Sequence, residues 1–258
     1  MVMNRIPVTD FDHFVDKTYV GYDMGRGTSY NDEIWKKQMF SLKGEEWRNV
    51  RGAISPIFTP LKLKKMLPAV AKVALDLESH VADLVGKDKL LDPMLLGSKF
   101  STDTSAKMVF GVDAGAFTRE EESEFSKHAN LTVIFTIREK LCSLAYMVPG
   151  LKQLIDLLKI PIYSPTATKY FINLVKQILK ERKHSGETMN LLLLLHKALN
   201  RRDTWESEPE DPKEKQQYFE TLVIANLLIM LAAGLETTAI SLGYCIWALS
   251  LNPGLLGS

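Results

Sequence analysis

The sequence contains little cysteine, with only Cys142 and Cys245 in 258 residues. Such sparse usage excludes a disulfide framework or a structural zinc cluster, and it is typical of a reducing compartment. The chain also lacks a large net charge of either sign, because 32 Lys+Arg are balanced by 31 Asp+Glu, which leaves a formal charge of +1. A chain so balanced has no long-range field to attract nucleic acid or an anionic membrane, and neither is expected as a main partner.

The amino-terminal segment lacks the apolar run of a signal peptide. Residues 1–7 are followed at once by the polar cluster 9–12, so we expect no targeting signal and no membrane anchor within this chain. What the sequence does contain, 46% hydrophobic and 24% charged residues, is typical of a globular protein with a large core. The length fits one large domain or two modest ones.

Apolar residues recur at helical spacing along most of the chain, and alternating strand patterns are rare, which predicts a mainly α fold. Asp92 followed by Pro93 is a strong helix start, and residues 118–121 resemble a capping box. Pro68 is expected to mark either a first turn or a kink. The helices predicted in this way cover residues 45–54, 60–86, 93–110, 118–140, 165–186, 190–199 and 217–251.

The predicted helix 217–251 is apolar on all sides and would extend for roughly 50 Å at 1.5 Å per residue. A helix of this kind runs through the middle of a larger structure. The alternative is a membrane span over 221–251, but Glu236 would lie at its centre, where an ionisable group is costly and rare. We therefore favour a buried core helix. The charged segment 201–215 before it is expected to be a solvated loop.

The centre of this helix carries the segment Ala232-Ala233-Gly234-Leu235-Glu236-Thr237-Thr238. Glycine inside a helix costs about 1 kcal/mol relative to alanine, so Gly234 suggests that another group approaches the backbone closely. Glu236 is a carboxylate in an apolar stretch, and the threonine hydroxyls can bond to a carbonyl one turn earlier. Two interpretations remain open: a cavity with a proton-delivery group, or plain helix packing with self-satisfied threonines.

A second segment places Trp47 and Arg51 one helical turn apart on the predicted helix 45–54. An indole N–H and a guanidinium are both hydrogen-bond donors, and the guanidinium binds carboxylates in a two-pronged fashion. The pair therefore suits a buried carboxylate. An arginine that stacks on a tryptophan at the surface is an equally good interpretation.

Together the two segments resemble the cytochrome P450 family, the haem-thiolate monooxygenases. Trp47-x-x-x-Arg51 is similar to the family's W-x-x-x-R motif, and residues 233–238 are similar to its [AG]-G-x-[DE]-T-T oxygen-activation motif. Residues 10–15, 55–59 and 157–160 look like microsomal, xenobiotic-type members, especially of arthropods. The resemblance implies the central part of the cytochrome P450 fold, incomplete at both ends, with residues 1–258 as one partial domain.

The resemblance also implies roles for individual residues. Trp47 and Arg51 would contact the haem propionates. Thr237 would hydrogen-bond the dioxygen bound during turnover, and Glu236 would help relay protons to it. The remaining motif residues would face the haem or support the backbone, namely Ala233, Gly234 and Thr238. The loop 18–33 and the start of the long helix would border the substrate pocket.

The chain departs from the family pattern at the axial ligand, a cysteine in F-x-x-G-x-x-x-C-x-G. Cys142 has Arg138 and Leu144 where glycines are required, and Cys245 has Ser241. Neither cysteine is expected to be the ligand, and no histidine spacing offers a substitute metal site. The family's E-x-x-R motif is matched by letter only at residues 45–48, on the wrong side of the long helix.

Two functional hypotheses follow from the resemblance. The first is part of a monooxygenase that inserts one oxygen atom into a lipophilic small molecule, with electrons from NADPH-cytochrome P450 reductase, at the cytoplasmic face of the endoplasmic reticulum membrane. Its membrane association would depend on an anchor missing from this chain. The second is a truncated, non-catalytic form that cannot hold haem through a cysteine and acts by binding partners.

Overall fold

The computed structural model describes residues 34–118, 121–133, 148, 163–181, 190–200, 209–252 and 254. All regular structure in these residues is helical, which confirms the mainly α prediction. The helices are α1 (Gly44–Ile54), α2 (Pro60–Gly86), α3 (Pro93–Ser105), α4 (Glu124–Val133), α5 (Pro165–Glu181), α6 (Leu191–Asn200) and α7 (Pro212–Leu251); a 3-10 turn (Ser55–Phe58) follows α1, and a π-helical turn (Ala106–Phe110) follows α3.

Several predicted helix boundaries are confirmed. Helix α2 has the predicted bounds, with Pro68 inside it rather than at its first turn. Helix α3 begins as predicted because the Asp92 side chain accepts the amides of Met94 and Leu95. The helical run ends at Gly111, whose φ of 69° is the left-handed conformation that favours glycine.

The predicted capping box at 118–121 is wrong. Helix α4 begins at Glu124, and the Ser123 hydroxyl accepts the Ser126 amide at 3.2 Å. Thr118 instead lies in a turn. Serine caps a helix as well as threonine does, so the letters alone did not identify the residue that caps. The predicted helix ends at 140 and 186 lie outside the described residues.

Helix α7 begins at Pro212, before the predicted residue 217. The Asp211 carboxylate accepts the amides of Lys213 at 2.8 Å and Glu214 at 3.1 Å. An aspartate cap with proline at the first helical position is a strong start signal, and it outweighs the charged character of the segment. The last residues of the predicted loop 201–215 are therefore helical.

Within the described part of the chain, α7 alone is long and apolar enough to cross a membrane by length and composition. A core helix passes the same test. Residues 222–228 of α7 are all buried by the chain itself, as expected for a core helix. The carboxyl-terminal part instead exposes large apolar side chains, among them Tyr244, Trp247 and Leu251.

The chain divides into two compact units. The first comprises Met1–Pro56, Phe135–Pro165 and Leu195–Asn226. Its central polar contact is Asn226, whose side-chain oxygen accepts the Met39 amide at 2.9 Å while its nitrogen donates to the Lys37 carbonyl at 3.3 Å. This buried amide holds residues 37–39 against α7.

The second compact unit comprises Ile57–Ile134, Thr166–Leu194 and Leu227–Ser258. Its core contains three phenylalanines. The Phe110 ring stacks on Phe171 with centroids 5.5 Å apart, and the Phe125 ring meets Phe171 edge-on at 5.4 Å. Burial and these ring geometries make the cluster a main source of stability in this unit.

Helices α3 and α7 meet in the second unit almost backbone to backbone. A Cβ atom added at Gly97 would collide with the Ala239 carbonyl oxygen and lie 3.2 Å from the Gly243 nitrogen. A Cβ atom added at Gly243 would lie 2.6 Å from Met94 Sδ and 3.1 Å from the Pro93 carbonyl oxygen. We call this contact the α3–α7 crossing. It depends on glycine on both helices.

Asp103 is a carboxylic acid buried on α3, with 1% of its surface exposed. Both of its oxygens accept the Ala116 amide, at 3.0 and 3.1 Å. Burial raises the pKa of the Asp103 carboxyl above its usual value of 3.8, although the Ala116 amide and the Lys107 charge oppose the shift. The native state therefore binds this proton more tightly than the unfolded state does.

We expect Asp103→Asn to gain stability relative to the parent chain as the pH rises. Between pH 3.8 and the raised native pKa, the parent native state holds more protons than the unfolded state, so its free energy of unfolding falls with rising pH. The variant lacks this loss. Urea denaturation from pH 4 to 7 measures the difference, which should grow and then level off.

Asp83→Asn is the matched control with the opposite sign. A hydrogen bond from Lys87 lowers the pKa of the Asp83 carboxyl, so the parent loses stability from this group as the pH falls through the native pKa. Because the native pKa of Asp83 lies below 3.8, the difference between variant and parent should move against the variant as the pH rises only below about pH 3.8, and it should stay nearly constant from pH 4 to 7. A pH-independent difference for Asp103→Asn would contradict the assignment.

Candidate haem-facing site

The predicted motif residues of α7 lie on its exposed side. Leu235 and Ala239 are buried, whereas Ala233, Glu236, Thr237 and a third polar residue, Thr238, are exposed. At 3.6 residues per turn, Thr237 lies about 200° around the helix from Leu235. The helix therefore presents Ala233 and Thr237 together, one turn apart, on the side away from its packing contacts.

Gly234 is not closely packed by another element of the described chain. An added Cβ atom would meet only the Ser105 hydroxyl oxygen, at the ordinary contact distance of 3.7 Å. The expected close approach is therefore absent at the Cβ position of Gly234 among the described residues, although the Ser101 hydroxyl of α3 bonds to its carbonyl oxygen at 3.3 Å. The close approaches occur instead at Gly97 and Gly243, which sequence reasoning did not single out.

The Thr237 hydroxyl donates a hydrogen bond to the Ala233 carbonyl at 2.6 Å. This is the predicted bond to a carbonyl one turn earlier. A hydroxyl has one hydrogen and two acceptor lone pairs, so this bond leaves the Thr237 oxygen able to accept another. Ser241 repeats the pattern by donating to the Thr237 carbonyl at 2.8 Å.

Glu236 is exposed in the described structure, although it lies in an apolar stretch of the sequence. The reason is its position on the helix, about 100° from the buried Leu235 and away from α3. Among the described residues no ion pair involves Glu236. Its carboxylate is therefore exposed to solvent, next to Thr237 along the helix.

Trp47 and Arg51 lie on one face of α1, as predicted. The Arg51 guanidinium carbon lies 5.4 Å from the Trp47 ring centroid, a cation–π geometry. Arg51 is exposed and Trp47 is half-buried. This is the stacked arrangement of the alternative interpretation, and it also presents the guanidinium to any group that approaches α1.

Glu46 positions α1, and sequence reasoning missed it. Its Oε1 atom accepts hydrogen bonds from Lys37 Nζ at 2.7 Å and from the Tyr218 hydroxyl at 2.6 Å. These contacts tie the residue beside Trp47 to the start of α7 within the first compact unit. A signal in the sequence would have required pairing residues 172 positions apart.

The letter match to E-x-x-R at residues 45–48 is an ordinary surface pair. Arg48 Nη1 lies 2.9 Å from Glu45 Oε1, and both side chains are about half exposed. Exposed pairs at this spacing contribute little to stability.

The cysteines supply no metal site in the described residues. Cys245 is a free, exposed thiol, and Cys142 lies outside the described residues. The described part of the chain contains no group of three or more His, Cys, Asp or Glu residues placed to hold a metal ion. The proposed substrate-bordering loop 18–33 also lies outside the described residues.

Comparison with known proteins agrees with this reading. Residues 15–256 match the family described as Cytochrome P450. The chain is 29% identical over 227 residues to "Probable cytochrome P450 6w1" of Drosophila melanogaster, covering 88% of this chain and 42% of that protein. It is 24% identical over 257 residues to "Cytochrome P450 6B1" of Papilio polyxenes, covering 98% of this chain and 48% of that protein.

The chain thus spans about half the length of the curated relatives it matches. The family match extends over nearly all of it and contains both motifs, on α1 and on α7. These observations confirm the resemblance to insect members of the family. The chain belongs to the cytochrome P450 family.

Proposed function

We propose that the complete protein is a haem-thiolate monooxygenase. It inserts one oxygen atom from O2 into a lipophilic small molecule, with NADPH-derived electrons delivered by NADPH-cytochrome P450 reductase. The observation that carries the proposal is the exposed face of α7, where Ala233 and Thr237 stand one turn apart. Family membership gives this face its interpretation.

The exposed face of α7 fits a flat apolar ring system. Ala233 is small enough to let a ring approach the helix, and Ile240 and Tyr244 continue the face as exposed large apolar side chains. The exposed Thr237 and Ser241 lie between these side chains, so the face offers a ligand both apolar contacts and hydroxyl groups. In this proposal Trp47 and Arg51, on α1 in the first compact unit, would be the donors to the acidic edges of a haem.

Haem supplies the activation of dioxygen when it is bound. Thr237 donates its hydroxyl hydrogen to the Ala233 carbonyl, so its oxygen would be placed to accept a hydrogen bond from a ligand at this face. Glu236 carries protons between solvent and that position. Thr238 supports the helix backbone next to Thr237. Gly234 has no side chain, so it leaves space beside the helix at this point.

Residues 1–258 form part of one cytochrome P450 domain in this proposal. The axial thiolate is neither Cys142 nor Cys245, because neither lies in the glycine pattern that the ligand loop needs. The protein works at the cytoplasmic face of the endoplasmic reticulum membrane, in agreement with the microsomal character of the resemblance.

Thr237→Ala in the complete, haem-loaded protein is expected to uncouple turnover. NADPH oxidation should continue while product formed per NADPH falls by about tenfold or more, because a positioned proton-handling group contributes on that scale. Product and NADPH are measured in the same reaction with the reductase present. A complete protein that binds no haem, or that shows no NADPH-dependent turnover, would overturn the proposed function.

Thr221→Ala is the matched control. Thr221 makes the same bond to a carbonyl one turn earlier on the same helix, to Gln217 at 2.7 Å, and it lies outside the motif. The control should retain the parent coupling ratio. Equal uncoupling in the two variants would show that loss of a helix back-bond, rather than the site, causes the effect.

A further inference from the structure

Ser101 links α3 to the backbone of the motif on α7. Its side chain is buried, with 1% exposed, and its hydroxyl oxygen lies 3.3 Å from the Gly234 carbonyl oxygen and 2.5 Å from that of Leu235. The hydroxyl donates and the carbonyls accept. In an α-helix these same carbonyls also accept the amides of residues 238 and 239. Ser101 thus reaches the hydrogen-bond ladder of the motif itself.

The α3–α7 crossing brings this hydroxyl to the helix backbone. Gly97 and Ser105 precede and follow Ser101 by one turn on α3, and both are buried. Gly97 lets the two backbones approach, and Ser105 lies beside Gly234 at contact distance. In the described residues, no hydrogen bond joins Ser105 to α7. Ser101 is therefore the polar link of the crossing.

Ser101 contacts the buried side of α7, whereas Thr237 lies on the exposed side. The bond from Ser101 reaches the Leu235 side of the helix, and Thr237 lies about 200° around it. Hydrogen bonds to the Gly234 and Leu235 carbonyls restrain both the rotation of α7 about its axis and its position along that axis. The direction of Thr237 and Glu236 therefore depends on a contact that touches neither side chain.

We propose that Ser101 is a positioning residue for Thr237 and Glu236. By donating to the carbonyls of the motif, it fixes the register at which α7 presents these side chains. This inference rests on the proposed function, because it assigns a role in the chemistry of the same face. A purely structural Ser101 would stabilise the whole unit without a particular effect on residues 236–239.

The first test uses the full 258-residue chain and amide hydrogen exchange. In Ser101→Ala, the amides of Thr238 and Ala239 should exchange roughly two- to tenfold faster, since the side-chain bond that holds their acceptor carbonyls in place is removed. Amides of residues 227–231, on the same helix, should change less. Ser105→Ala, which removes a hydroxyl at the neighbouring buried position, should leave residues 238 and 239 as in the parent.

A uniform acceleration along α7, or the same pattern in Ser105→Ala, would overturn the inference. The second test uses the complete haem-loaded protein with its reductase. Ser101→Ala should form several-fold less product per NADPH, and Ser105→Ala should keep the parent ratio. If the parent turns over and Ser101→Ala is fully coupled, the positioning role fails while the proposed function stands; if the complete protein binds no haem, the proposed function fails.

Discussion

Phe171→Ala is expected to lower the free energy of unfolding by about 3–5 kcal/mol, the range for large-to-small changes at buried aromatic positions. Phe171 is fully buried on α5. Its ring contacts Phe110, Phe125 and Tyr170, with centroid distances of 5.5, 5.4 and 5.1 Å. Truncation removes three ring contacts at once and leaves a cavity that a helical framework fills only in part. Urea denaturation followed by circular dichroism measures the change.

Phe58→Ala is the control for this prediction. Phe58 follows α1 in the 3-10 turn and is 44% exposed, so its truncation should change stability by much less. A loss at position 171 no larger than that at position 58 would show that the phenylalanine cluster does not form the core of the second unit.

Gly97→Ala is expected to be the second large change. The added methyl group would collide with the Ala239 carbonyl oxygen, and backbone atoms cannot turn aside as a side chain can. Overpacking of this kind costs about 3 kcal/mol at the upper end of its usual range. Alanine recovers about 1 kcal/mol of helix propensity, so a net loss of about 2 kcal/mol is expected in the free energy of unfolding.

Two other helical glycines provide controls for Gly97. Gly86, at the end of α2, has nothing within 4 Å of an added Cβ atom, and Gly234 has only the Ser105 hydroxyl oxygen at 3.7 Å. Gly86→Ala and Gly234→Ala should therefore keep the parent stability or raise it by about 0.4–1 kcal/mol. A stable Gly97→Ala protein would contradict the crossing geometry.

The helices were predictable because their signals are local. The bounds of α2 follow from apolar spacing, and the start of α3 follows from Asp92 before Pro93. The predicted start of α4 was wrong because Thr118 and Ser123 can both cap a helix. The sequence alone did not single out Ser123, whose hydroxyl accepts the Ser126 amide. The predicted start of α7 was wrong because the charged character of the segment was given more weight than the cap that Asp211 provides.

The residues of the candidate site remain a prediction from the sequence motifs, and only some of their contacts could be predicted. The motif letters single out Thr237 and Arg51 as candidates, and the back-bond of Thr237 follows from helix geometry alone. The sequence suggested a close helix contact at Gly234, yet the close contacts are at Gly97 and Gly243. No local sequence signal distinguishes these two glycines, because each packs against a helix that is distant in the sequence.

The α3–α7 crossing constrains the length of its helices as well as their residues. One extra residue between Leu235 and Ala239 would turn one part of α7 by about 100° relative to the other. The Leu235 carbonyl could then no longer face Ser101 while Gly243 faces Met94. Single-codon insertions and deletions should therefore be absent from this stretch in natural variants. Residues 90–91 could absorb such changes, because they lie between the last bonds of α2 and the Asp92 cap of α3 and both side chains are exposed.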